Sequence, residues 1–224
     1  VATVFLVVSH RMLPFLGEGV WPALDMRWPA WPLWAVVSVP VVQCLAALLA
    51  PWAAWLPGWR NLQAVHLATV AALCLWIALR WLRVPALRQP MVAMLFGGFL
   101  WWDATLWLAA VALWADPGTA AATAFDLASL HALGMGFLGS TLLVMATRVS
   151  STHSGRPQAM DHVARALYGL LQAAVVMRLA AAIGPAAAPL LLPWAALAWL
   201  GVALVWALRH GRWLGLPRQD GRPG

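Results

Sequence analysis

A histidine and a methionine four residues apart, His131 and Met135, stand in the apolar run HALGMGFLGS. On a helix that spacing puts imidazole and thioether on one face. Together they could bind haem iron or a soft copper ion. A helix histidine also serves simple packing, so spacing alone leaves both readings open. Asp103 in WWDATLW and Arg178 in VVMRLAA are ionisable groups in equally apolar surroundings. Inserting such a group in a bilayer costs about 2.5–3.5 kcal/mol, so each needs a partner or a purpose. Arg178 could pair with Asp103 or Asp126, or its guanidinium fork could hold a haem propionate. His10 and Arg11 lie in SHRMLPF, where Pro14 should kink or end a helix. Arg11 could simply snorkel to an interface. His66, His162 and His210 are expected to be structural or solvated.

The stretch ATRVSSTHSGRP, from Ala146 to Pro157, gathers Arg148, His153 and Arg156 in a chain that is only 9% charged. Arginines beside an apolar run set membrane orientation. Orientation alone would be satisfied by any basic loop. His153, Ser154 and Gly155 read as a tight turn that presents donors to something anionic.

These residues need apolar helices to position them. The chain is 63% hydrophobic, with a mean hydropathy of +0.80. A soluble domain of 224 residues could not hide that much apolar surface. Alternating strand patterns are absent, so the expected fold is all-α, a polytopic transmembrane helix bundle. About seven apolar segments can be read, near 1–16, 32–55, 63–82, 90–114, 122–149, 162–183 and 189–209. A transmembrane domain over 1–209 and a cytoplasmic tail over 210–224 follow. The opening VATVFLVVSH has no initiator Met and no basic leader, and reads as a processed chain or the later part of a longer one.

All 14 basic residues are arginines. A seven-helix retinal protein, which needs a Schiff-base lysine, is therefore excluded. Nucleic acid is not expected as a partner, because the arginines flank membrane segments. They cluster at alternate joints: Arg27; Arg80, Arg83 and Arg88; Arg148, Arg156 and Arg165; then the tail. The other joints hold only Arg60. That alternation predicts an odd helix count with the C-terminus in the cytoplasm. Tryptophan, present 17 times, anchors interfaces at many of its positions. Trp101 and Trp102 fall near mid-membrane, where they either pack or line a flat cofactor. Ala132, Gly136 and Ser140 form a small-residue stripe suited to close helix packing. Cys44 and Cys74 read as small buried apolar residues.

From Leu130 to Arg156 the chain reads LHALGMGFLGSTLLVMATRVSSTHSGR, which resembles the NnrS family pattern LHALTVGxxGxMxxxMxxRVxxGHTGR. His131, Gly136, Gly139, Met145, Arg148, Val149, His153, Gly155 and Arg156 match. An upstream RxxPxF element is matched by Arg11, Pro14 and Phe15. A C-terminal PRxDGRPG is matched by Pro217, Arg218, Asp220, Gly221, Arg222, Pro223 and Gly224. The resemblance implies a many-helix bacterial membrane protein that carries haem and copper and is linked to denitrification and nitric oxide tolerance. It implies the inner (cytoplasmic) membrane. It covers the later half of such a protein, so further helices would precede this chain or come from a partner membrane subunit. The candidate site residues are His131, Arg148, His153, Arg156, Arg11 and Arg178 for the cofactor, and His131, Met135, His10 and His153 for metal; of these the family pattern matches His131, Arg148, His153, Arg156 and Arg11, and the others rest on the residue chemistry alone. One departure matters. The family's LHxGYxW is LFGGFLW here, so Phe96 stands where a histidine is expected.

Two further readings compete with a haem- and copper-containing membrane protein. One is a cofactor-poor accessory subunit that has lost a ligand at Phe96. The other is a transporter using Asp103, His131 and Arg178 as a polar path. No catalytic acid–base pair or activated nucleophile is visible, so an enzyme is not the leading expectation.

Overall fold

A computed structural model describes residues 4, 5, 7, 31–55, 58–83, 85–156, 160–213 and 215–221. His10, Arg11 and most of the first apolar segment lie outside them. The helices are α1 (Trp31–Leu49), α2 (Trp59–Trp81), α3 (Pro90–Trp114), α4 (Ala120–His131), α5 (Ser140–His153), α6 (His162–Ile183) and α7 (Ala188–Gly211). A π-helical segment, Ala132–Gly139, joins α4 to α5 without a break. Six spans among the described residues are long and apolar enough to cross a membrane. They coincide with six of the expected segments. The protein is a multi-pass helical membrane protein.

Starts and stops follow local chemistry. Thr119 caps α4, its hydroxyl accepting from the Ala122 N–H at 3.2 Å. Asp161 caps α6 through the Ala164 N–H at 3.0 Å. Pro90 opens α3 in the first turn, where its missing N–H costs nothing. Arg60, the one exception to the alternation of arginines, is explained here. Its Nη2 donates to the carbonyls of Leu113 and Ala115 at 3.1 Å and closes the C-terminus of α3.

The bundle is centred on α3, which packs against α2, α4, the π segment and α5. Half of its apolar window is buried, against 11% for α7. One core joins α1, α2 and α3 through Val39, Leu67, Cys74, Trp102 and Leu106, with Phe137 of the π segment. A second joins α6 and α7 through Leu171, Val175 and Val202. Leucines and tryptophans such as Trp34, Leu190 and Leu208 cover the outside. An apolar exterior on every outer helix is what a lipid environment requires. Cys74 is buried as expected, but Cys44 is exposed on that outer surface.

Candidate functional site

The π segment opens directly after His131 and contains Met135 and Gly136. Such segments shift backbone bonding by one residue and often mark functional positions. Here the shift fits the segment to α3. A Cβ on Gly136 would stand 2.6 Å from Cγ of Trp101, so the indole lies flat on a glycine backbone. Trp101 then donates through Nε1 to Gln172 Oε1, and Gln172 Nε2 donates to the fully buried Ser140 at 2.9 Å. Trp102 packs on Phe137 with ring centres 5.6 Å apart. Both mid-membrane tryptophans therefore pack, and the small-residue stripe receives a ring where a close backbone approach was the default expectation.

The structure brings His131 and Arg178 together. Arg178 Nε donates to His131 Nε2 at 3.1 Å, joining α4 to α6. That places a lone pair on Nε2 and the ring proton on Nδ1. Arg178 pairs with the histidine and not with Asp103 or Asp126: Asp126 is exposed, and the buried Asp103 sits beside Cys74 and Trp102 with Oδ1 unpartnered. His131 is half-buried. Leu127 and Gly134, which share its face, are exposed, and a Cβ on Gly134 would meet nothing within 4 Å. An open apolar strip thus runs past the imidazole.

Met135 is not part of that site. Its side chain packs against Leu171, Val175 and Val202. His153 is exposed at the far end of the continuous helix, 22 residues from His131, or roughly 30 Å away. No single group can touch both. Phe96 is buried, with its ring centre 6.2 Å from that of Trp81, so an aromatic contact fills the position. Among the described residues no three His, Cys, Asp or Glu side chains are placed to share a metal ion.

At the arginine-rich end a second constellation forms from motifs that stand apart in the sequence. The tail folds back so that the Gln219 N–H donates to the Ser154 carbonyl at 3.1 Å. Gly155, at φ +65°, leaves room for Asp220, whose Oδ1 would lie 2.7 Å from an added Cβ. Arg218 and Asp220 are bridged. Arg209 grips Asp161 with both Nη atoms and holds its carboxyl down at about pKa 2. Trp206 Nε1 donates to Thr147 at 2.9 Å. His210 is buried between Trp206 and Trp213, with ring centres 4.9 and 4.6 Å away. Arg148 lies on α5 at this end, half-buried, its carbonyl accepting from Thr152. His66, expected to be structural or solvated, meets Ser38 at 3.0 Å.

A sequence model described as NnrS protein matches residues 1–218. No curated protein matches the chain, and no solved structure does.

Proposed function

The chain belongs to the NnrS family, and on that premise we propose that it is a haem-binding membrane protein serving nitric oxide tolerance. The observation that carries this reading is the His131–Arg178 pair beside an open apolar strip. Its donor set fits a group held by one imidazole nitrogen. Nε2 of His131 would be the ligand, provided Arg178 releases it. Arg178 would then be free to face an acidic substituent of the ligand. Leu127 and Gly134 would offer a flat apolar face. Haem iron, when bound, supplies a site for a diatomic gas such as nitric oxide. Copper does not fit as well: Met135 packs into the α6–α7 core, His153 is at the other end, and among the described residues no three His, Cys, Asp or Glu side chains gather at His131. The arginine alternation supports an inner-membrane orientation with the C-terminus in the cytoplasm.

The test is the haem-to-protein ratio after purification from haem-replete cells, with growth of a deletion strain under nitric oxide alongside. A near-stoichiometric ratio that falls in His131→Ala, together with lost tolerance in cells, is the expected outcome. Haem-free protein that still restores tolerance would refute the cofactor part.

A cofactor-poor accessory subunit is the second reading, favoured by the packed Phe96. It predicts haem-free, folded protein in stoichiometric association with another membrane protein.

A further inference from the structure

We propose that the arginine-rich end of the bundle holds a binding site for a phosphate-type oxyanion, separate from the His131 region. A cavity of about 240 Å³ lies between the last turns of α5 and α7 and the first turn of α6. Its lining includes Ser151, Arg156, Asp161, Arg209, Trp213 and Gln219. Thr147, which accepts from Trp206 Nε1, also lines it, and Gln219 belongs to the folded-back tail, its N–H donating to the Ser154 carbonyl.

Two guanidiniums face this cavity, and their situations differ. Arg209 is neutralised by Asp161. Arg156 is stacked over Trp213, with Cζ 4.7 Å from the ring centre, and its buried Nη1 has no hydrogen-bond partner. A buried guanidinium N–H left unpaired is costly, and native structures pair such groups. The cavity beside Arg156 is where the missing acceptor belongs. The single carboxylate in the lining is already engaged by Arg209, so a net positive charge remains. The aromatic stack fixes the plane of the Arg156 fork, which suits the paired oxygens of an oxyanion. The volume is below the ~300–1,000 Å³ of sites for drug-sized ligands, so it takes a small group and not a porphyrin.

Two sources supply this chemistry: free inorganic phosphate, or the headgroup of an anionic phospholipid in the adjacent leaflet. The full chain in neutral detergent would be titrated with inorganic phosphate against chloride at constant ionic strength, reading thermal stability. In parallel it would be placed in nanodiscs of phosphatidylcholine with or without phosphatidylglycerol. A saturable rise with phosphate identifies the free anion. A rise with phosphatidylglycerol alone identifies the headgroup. Arg156→Gln should weaken whichever response is seen by about tenfold or more, while Arg165→Gln, an exposed arginine at the same end, should leave it unchanged. If Arg156→Gln does not fold, Arg156→Lys replaces it: the lysine keeps the charge, loses the fork, and should still bind more weakly than wild type. No response in either arm, or equal loss in Arg165→Gln, would overturn the proposal.

Discussion

Gly136→Ala tests how the π segment meets α3. The added Cβ would lie 2.6, 2.8 and 2.9 Å from Cγ, Cδ2 and Cβ of Trp101. Those atoms form the root of the side chain, so the ring cannot swing away at its tip. It must move as a body, and the Trp101–Gln172–Ser140 chain moves with it. Overpacking of this kind costs about 1–3 kcal/mol. A broken buried hydrogen bond adds about 1 kcal/mol. The expected loss is roughly 2–4 kcal/mol. Gly134→Ala, two residues earlier in the same segment, meets nothing within 4 Å and should be neutral or stabilising by up to about 1 kcal/mol. The assay is reversible unfolding in mixed micelles with both variants side by side. A Trp101→Leu background should cut the cost of Gly136→Ala to under about 1 kcal/mol through coupling of the two sites. Equal stabilities for Gly136→Ala and Gly134→Ala would refute the packing described here.

Asp161→Asn keeps the α6 cap but loses the Arg209 pair, at a cost of about 1 kcal/mol for a partly exposed bridge. The folded Asp161 titrates near 2, below its ordinary 3.8, so its contribution is full above about pH 4 and is lost as pH falls through 2; the wild-type advantage over Asn should vanish in that window, read by thermal melts. Arg60→Ala should cost about 1 kcal/mol and speed hydrogen exchange at Leu113 to Ala115 without touching the far end of the bundle. Gly155→Ala combines a strained positive φ with a clash against Asp220, and should release the tail to proteolysis while the helices stay intact.

Helix positions were legible because each apolar run is bounded by Pro, Gly or a capping Thr or Asp, and the observed ends lie within a few residues of the expected ones. The π segment was not legible. No periodicity break marks it, because every neighbour is apolar; the three glycines at 134, 136 and 139 and the 34-residue span were the available signals. Arg178 was expected to pair with Asp103 or Asp126 or to hold a haem propionate. The ion pair does not form, since helix rotation decides which side chains meet, and it sets Asp103 near Cys74 and leaves Asp126 exposed. His131 and Met135 share a helical face by spacing, yet Met135 is recruited by the α6–α7 core. The THSGR turn and the PRQDGRPG tail were each read alone. Only the fold shows them joined, through Gly155 and Asp220.

We propose His131 as the ligand of a bound haem. The most direct measurement is the reduced-minus-oxidised visible spectrum of purified His131→Gly protein, with and without added imidazole. A Soret band is expected in wild type, with its loss in the variant and its return when imidazole fills the space. A band of unchanged position and intensity in His131→Gly without imidazole would contradict it.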